Sequence, residues 1–210
     1  MRSEGILIVV SGFSGAGKGT LMKRLVEKYD NYALSISATT RTPRQGEEEG
    51  REYFFLSREQ FEKRIADRAL IEYAEYCGNY YGTPRDYVEK ELSCGRDVIL
   101  EIEIQGALKI KEQYPEAVLL FVTTPSAGEL RRRLSGRGTE TAEVIEKRLG
   151  RAVKEAEGIE RYDYIVINDD LETCVEELHG IITAAHHTPG RNGEFIQTMR
   201  RELEGDQIEN

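Results

Sequence analysis

The stretch Gly12-Phe13-Ser14-Gly15-Ala16-Gly17-Lys18-Gly19-Thr20 constrains this chain more than any other. Before it runs Ile6-Leu7-Ile8-Val9-Val10, a short apolar, β-branched run closed by Ser11 and Gly12. After it, Leu21 with Leu25 and Met22 with Val26 repeat at helical spacing. Strand, glycine-rich turn and helix in that order form the setting of a P-loop. Glycines let backbone N–H groups approach phosphate oxygens, the helix N-terminus adds partial positive charge, and Lys18 reaches the β- and γ-phosphates. One position departs from the usual pattern. Ser or Thr ordinarily follows the lysine, and here Gly19 does, with Thr20 next. The hydroxyl that usually binds Mg²⁺ is therefore missing. The metal is expected to rest on phosphate oxygens and water, which Mg²⁺ tolerates, and Thr20 is better placed for a phosphate oxygen.

Further buried strands are predicted at 98–100, 118–122 and 164–167, separated by helical patterns at 107–113, 127–134, 142–156 and 171–185. Such alternation predicts a parallel α/β sheet with helices on both faces. Residues 38–95 break the rhythm. Residues 52–56 and 71–76 alternate like half-exposed antiparallel strands, and Gly78-Asn79 reads as a turn. Ser57-Arg58-Glu59-Gln60 is a capping box, and Thr83-Pro84 reads as an N-cap followed by proline at the first helical position. The segment is expected to be a small α+β insertion. Residues 135–150 read as a mobile polar segment between helices and 188–193 as a linker. Phe195, Ile196, Met199 and Leu203 fall on one face of a short amphipathic helix.

A net charge of −9 argues against non-specific binding to nucleic acid or anionic membrane, so a polyanionic substrate has to be held by a local cluster of cations. Cys77, Cys94 and Cys174 form no CxxC pair, which suggests neither a disulfide framework nor a zinc site, and points to a reducing, cytoplasmic setting. The apolar run at 6–10 is too short for a signal sequence or a membrane span. His179, His186 and His187 form no coherent ligand set with carboxylates. Nothing in the sequence sets the oligomeric state.

A phosphate loop alone implies only a nucleoside triphosphate. A second set of residues narrows the reading: Ser37-Ala38-Thr39-Thr40-Arg41-Thr42-Pro43-Arg44-Gln45-Gly46-Glu47, Tyr53, Ile71-Glu72-Tyr73 and Gly78-Asn79-Tyr80-Tyr81-Gly82-Thr83. To these add Glu101-Ile102-Glu103-Ile104-Gln105-Gly106, Gly136-Arg137-Gly138-Thr139-Glu140-Thr141 with Arg148, and Ile167-Asn168-Asp169-Asp170. In this order, from about residue 5 to residue 185, they resemble the guanylate kinase family. The chemistry of the residues agrees. Arg41 and Arg44 carry planar guanidinium forks suited to a phosphate monoester. Guanine presents N1–H and N2–H₂ side by side, a donor pair that adenine lacks and a carboxylate reads well.

The resemblance implies an α/β, P-loop NTPase-like fold: a parallel five-stranded sheet with helices on both faces, a small α+β GMP-binding insertion and a lid. It implies a core at 1–37 and 96–187 with the lid at about 135–150, a GMP-binding subdomain at 38–95 and a C-terminal extension at 188–210. ATP and GMP (or dGMP) are the implied substrates, with Mg²⁺ as cofactor and purine nucleotide metabolism as the setting. By the resemblance, ATP is bound by Gly12, Ser14, Gly15, Ala16, Gly17, Lys18, Gly19, Thr20, Arg133, Arg137 and Asn168. Ser37, Arg41, Arg44, Tyr53 and Tyr81 match the contacts to the GMP phosphate. Glu72 and Glu103 match the base-reading acids, although the family often has Asp where Glu103 stands, and Thr83 matches the hydroxyl near O6. Lys18, Arg44, Arg137 and Arg148 are the implied catalytic cations, with Arg148 also facing GMP. Glu101, at the end of a strand beside the phosphate loop, is expected to orient waters on Mg²⁺. Arg131 and Arg132 read as solvated or structural. Three other readings are set against this one: a binding module that has lost catalysis, a kinase acting on another phosphorylated acceptor, and a nucleotide-sensing regulator. The full set of cations disfavours the first, and Glu72, Thr83 and Glu103 disfavour the second.

Overall fold

The computed structural model describes residues 4–44, 46–76, 78–136 and 142–206. Its centre is a five-stranded, wholly parallel sheet of β1 (Leu7–Gly12), β2 (Tyr32–Leu34), β7 (Asp97–Glu101), β8 (Val118–Thr123) and β9 (Tyr164–Ile167). The spatial order is β2-β7-β1-β8-β9, which puts β1 in the middle. Its side chains alternate between two cores, as the two-residue period of a strand demands. Ile6, Ile8 and Val10 face Leu21, Met22 and Leu25 of α1 (Lys18–Lys28) and Val175, Leu178 and Ile182 of α7 (Leu171–Ala185). Leu7 and Val9 face Val88 of α3 (Arg85–Ser93) and Ala107 and Ile110 of α4 (Ile104–Gln113). Burial of each such aliphatic side chain contributes roughly 1.5–3 kcal/mol. β1 is therefore anchored from both sides, and the turn at its C-terminal end starts from a fixed point.

The segment at 38–95 forms a second sheet, ordered β4-β3-β6-β5. Its strands are β3 (Ser37–Thr39), β4 (Tyr53–Phe55), β5 (Leu70–Tyr76) and β6 (Asn79–Pro84). It has its own small core of Ala38, Phe61 and Leu70, and Phe61 comes from α2 (Arg58–Ala66). The capping box is present: Ser57 Oγ accepts from the Gln60 N–H, and the Gln60 side chain accepts from the Ser57 N–H. Gly78 makes the β5–β6 turn with φ at 77°.

Two expectations fail here. Among the described strands β4 pairs with β3 alone, and it runs parallel to it, because the long connection from Thr39 to Tyr53 returns the chain to the starting end of β3. Thr83 is not a helix cap. It lies inside β6, and Pro84 is the residue that precedes α3, with no side-chain cap.

α5 (Ala127–Ser135) and α6 (Ala142–Ala156) pack through Leu130, Leu134 and Ala152, with Ile145 and Leu149 against them. Residues 142–150, expected in a polar segment between helices, are therefore the first part of α6. Arg137, Gly138, Thr139, Glu140 and Thr141 lie outside the described residues, as do Gln45 and Cys77. The expected linker at 188–193 is instead a 3-10 turn, Pro189–Asn192, leading into α8 (Gly193–Asp206). Asn192 Nδ2 ties that turn back by donating to His186 O and Thr188 O. Phe195, Met199 and Leu203 of α8 are exposed. No described helix is long and apolar enough to cross a membrane.

Candidate active site

The Gly12–Thr20 loop leaves the centre of the sheet and turns straight into α1. Gly12 is required by space, and Gly17 by its backbone conformation and a close side-chain neighbour. A Cβ at Gly12 would lie 2.0 Å from Val122 O, and one at Gly17 would lie 2.6 Å from Asn168 Nδ2. Gly17 also precedes α1 with φ at 90°, a left-handed conformation that costs other residues roughly 1–2 kcal/mol. Asn168 Nδ2 donates to Ala16 O at 2.8 Å, and Arg133 Nη1 approaches the same oxygen at 3.5 Å. Arg133 comes from α5 and Asn168 directly follows β9, and both reach the loop at the same carbonyl. Arg133 and Asn168, two of the three donor-side residues expected outside the loop, are thus brought to it, and Arg137 lies outside the described residues.

Lys18 folds back over the loop, and its Nζ donates to Gly12 O at 2.8 Å and Phe13 O at 3.2 Å. Burial lowers its pKa, opposed by the nearby Glu101 carboxylate. Burial likewise raises the carboxyl of Glu101, and Lys18 opposes that shift. Gly19 leaves the space between them open: a Cβ there would be 4.0 Å from Glu101 Oε2. Thr20 is exposed on the first turn of α1. Ser11 Oγ donates to Ile102 O at 2.8 Å, which fixes the end of β7 beside the end of β1.

Two cavities meet at that point. One, of about 210 Å³, is lined by Gly12, Ser14, Lys18, Glu103, Arg151 and Glu155 together with Glu101 and Ile102. The other, of about 310 Å³, lies towards the small sheet, between Ser35, Ser37, Tyr53 and Thr83, and again reaches Glu101 and Ile102.

In the small sheet, Glu72 lies next to Thr83 across the β5–β6 pair, and Thr83 Oγ1 donates to Glu72 Oε1 at 2.8 Å. Burial raises the Glu72 carboxyl above the ordinary carboxylate range, and the Thr83 hydrogen bond opposes it. Arg41 stacks over the Tyr53 ring at 5.3 Å, and the Tyr53 and Tyr81 rings lie 6.2 Å apart. Three of the expected phosphate-side residues therefore stand together. Arg41 Nη2 donates to both oxygens of Glu47, at 2.9 and 3.0 Å, and the Arg44 N–H donates to Glu47 as well. The Arg41 contact holds the Glu47 carboxyl below its ordinary range. Glu103 is the residue preceding α4, and its carboxylate is paired with Arg151 of α6 rather than turned towards Glu72. Arg148 stands one turn before Arg151 on the same helix.

Glu47, Glu129, Arg151 and Glu155 were missed in the sequence. Glu47, Glu129 and Arg151 each sit a helical turn or a short loop from an arginine that was named, which was the available signal, and Glu155 lies one turn further on from Arg151. Glu129 receives Arg132 at 2.7 Å and Arg133 at 2.6 Å, and those contacts bring its carboxyl down to about 2. Arg131 pairs with Glu146 and Arg132 with Glu129, and both guanidinium side chains are exposed. Arg41, Arg133 and Arg151 thus each rest on a carboxylate. These contacts hold their guanidinium groups in place and balance their charge. Among the described residues no group of three or more His, Cys, Asp or Glu could hold a metal ion.

A parallel sheet with a glycine-rich turn at the end of its central strand, facing a second small sheet across two joined cavities, is the architecture of a nucleotide kinase. The comparisons with known proteins narrow this. The family model described as Guanylate kinase matches residues 4–185. The chain is 52% identical to the guanylate kinase of Halalkalibacterium halodurans, over 88% of this chain and 91% of that one. It is 48% identical to that of Caldanaerobacter subterraneus subsp. tengcongensis, over 96% and 98%. The crystal structure of guanylate kinase from Anaplasma phagocytophilum superposes with a TM-score of 0.72, at 35% identity and 90% coverage of both chains. The chain belongs to the guanylate kinase family. It is an ATP:GMP phosphotransferase, a nucleoside-monophosphate kinase.

Proposed function

We propose that the two joined cavities are the two halves of one phosphoryl-transfer site. ATP lies over the Gly12–Thr20 loop, and GMP or dGMP lies against the small sheet. The observation that carries this is the shared wall: Glu101 and Ile102 line both cavities, with Lys18 in one and Tyr53 and Thr83 in the other. Phosphates from two nucleotides would meet there.

The reaction asks little covalent work of the protein. An oxygen of the GMP phosphate, already an anion, attacks the γ-phosphorus. The bond from that phosphorus to the β–γ bridging oxygen breaks, and ADP leaves. No general base is needed. What the chain supplies is alignment and charge. Lys18 and the loop N–H groups hold the ATP phosphates. Arg41, Arg44, Ser37, Tyr53 and Tyr81 hold the acceptor phosphate. Glu72, Thr83 and Glu103 read the guanine edge. Arg133 and Asn168 support the adenosine side, and Arg137 and Arg148 bring charge from the lid and exclude water.

The residues present fit Mg²⁺. Glu101 offers hard oxygens beside the open space at Gly19 and in the same cavity as Lys18, and would hold the ion through water. The ion, when bound, neutralises charge across the β- and γ-phosphate oxygens. The free thiols of Cys94 and Cys174, and the net charge of −9, support a cytoplasmic setting and small-molecule partners without nucleic acid or membrane. A coupled assay across GMP, AMP, CMP and UMP, with ATP and with or without Mg²⁺, tests the reading. ADP release with GMP and Mg²⁺ alone is expected. Turnover of AMP without turnover of GMP would overturn it.

A further inference from the structure

Arg151 has no role in the reaction described above, yet it lines the cavity that holds Lys18 and Ser14. Its guanidinium bridges two carboxylates. Nη2 donates to Glu103 Oε2, and Nε donates to Glu155 Oε1 at 2.9 Å. Glu103 precedes α4, whereas Arg151 and Glu155 belong to α6, so the contact ties the two helices together across the mouth of the cavity. Glu155 is largely buried, with 13% of its side chain exposed, while Glu103 is 69% exposed. The Glu155 half of the bridge is the buried half, and the Glu103 half is open to solvent.

The chemistry of the two competitors for Glu103 is the same. A guanidinium offers a carboxylate two parallel N–H donors. Guanine offers N1–H and one N2–H, and the atoms N1, C2, N2 and N3 of guanine are themselves a guanidine. A carboxylate engaged by one is not free for the other. Arg151 also lies close enough to Lys18 to affect its charge state, so anions drawn to Lys18 act on Arg151 too. An ion pair as exposed as Arg151–Glu103 is weak, and a polyphosphate beside it outcompetes a single carboxylate for the guanidinium.

We propose that Arg151 is a positioning residue for Glu103. With the sites empty it occupies the carboxylate through a mimic of the guanine edge. Phosphates in the Lys18 cavity draw it off and release Glu103 to the base. ATP binding then raises affinity for GMP, and by linkage GMP raises affinity for ATP by the same factor. The proposal rests on the reading that Glu103 faces guanine.

The test is calorimetric titration of the full chain with GMP, with and without Mg²⁺ and a non-hydrolysable ATP analogue. In the unaltered protein the analogue is expected to tighten GMP on the order of fivefold, the scale of an exposed ion pair. Arg151→Ala and Arg151→Met are expected to bind GMP without the analogue as tightly as the unaltered protein binds it with the analogue, and to show no further gain. Undiminished enhancement in both variants, weaker GMP binding in them without the analogue, or no enhancement in the unaltered protein would each overturn the proposal. Glu103→Gln separates the two readings. Unchanged GMP affinity there removes Glu103 from the base site. Weakened affinity there, with enhancement intact in Arg151→Ala, overturns only the exchange.

Discussion

Thr83 gives its single hydroxyl proton to Glu72 Oε1, 2.8 Å away across the β5–β6 pair. In this state the hydroxyl orients the carboxylate, and it donates to a purine O6 only by giving up that bond. Glu72→Gln keeps the shape and loses the charge, and it is expected to weaken GMP by about 1–3 kcal/mol, the scale of a lost charged hydrogen-bond partner. Thr83→Val should weaken it less, by about 0.5–1.5 kcal/mol. Steady-state kinetics with varied GMP read both as a rise in KM for GMP, with kcat at saturation largely kept. A fall in kcat at unchanged KM would count against base reading by this pair.

The same carboxyl sets a pH dependence. Burial raises the pKa of Glu72, and an acceptor of guanine N–H donors has to be ionised. KM for GMP is therefore expected to rise as pH falls through this raised pKa, at a pH above the ordinary carboxylate range. Stability moves the other way. The folded state binds this proton more tightly than the unfolded state, so the group's contribution is full at low pH and is lost as pH rises through the folded pKa. A KM–pH profile on the unaltered protein and on Glu72→Gln checks this, since the variant should lose the acid limb.

Lys18 holds two loop carbonyls and faces the cavity shared with Glu101. Lys18→Met should lower kcat on the order of 10²–10³-fold, as does the loss of one preorganised charge at a transferring group. GMP affinity should stay near that of the unaltered protein, because the acceptor residues stand on the second sheet. Equilibrium dialysis with GMP beside single-turnover assays separates the two quantities. A collapse of GMP binding with persistent turnover would refute the assignment.

Asp97 is 2% exposed and accepts from the Ile6 N–H at 2.8 Å, from Asn31 Nδ2 at 3.1 Å, and faces His186 Nε2 at 2.9 Å. It joins the starts of β1 and β7 to the end of α7, at the opposite end of the sheet from Glu101. Asp97→Ala leaves a buried N–H without its partner and should cost on the order of 1–3 kcal/mol. Thermal unfolding should show that loss, while kcat measured well below the midpoint stays unchanged.

Phe195, Met199 and Leu203 are 65%, 40% and 58% exposed on α8. Their burial therefore adds little to the monomer. Truncation after Asn192, which spares the tie from Asn192 to His186 O, should change stability by less than about 0.5 kcal/mol, as surface changes usually do. Turnover should be unaffected. A large drop in midpoint at micromolar protein would mean that this face is covered in solution.

Reading the sequence located β1, β7 and β8, because buried parallel strands are continuous apolar runs that carry their own signal. It placed β9 as well, but as a buried strand, whereas β9 lies at an edge of the sheet and Tyr164, Ile165 and Ile167 are exposed, with Val166 alone of the four buried. Apolar spacing also marked α7 to the residue and the span of α6, although the first nine residues of α6 were read at the same time as part of a polar segment. It did not find β2, β3 or β6. Tyr32-Ala33-Leu34 is three residues long, and Ser37-Ala38-Thr39 is mostly polar or small, so neither shows a period. Asn79–Pro84 carries a glycine and a proline that read as turn and cap, yet it pairs with β5 on one side and β3 on the other. The direction of β4 followed from where its partner lay, which local alternation does not encode.

The candidate site divides in the same way. The phosphate loop was legible because its chemistry is local: glycines, a lysine and a helix start within nine residues. The side chains around Lys18 and Glu72 were legible as types, since a phosphate needs cations and a guanine edge needs carboxylates. Their pairing was decided by tertiary structure alone. Glu103 and Arg151 are 48 positions apart, and Asn168 reaches Ala16 across 152. Such contacts depend on how helices and strands pack, and an exposed ion pair of small net energy leaves no pattern in the chain. The sequence by itself determined which chemistry this protein carries. The tertiary structure decided which carboxylate each cation rests on.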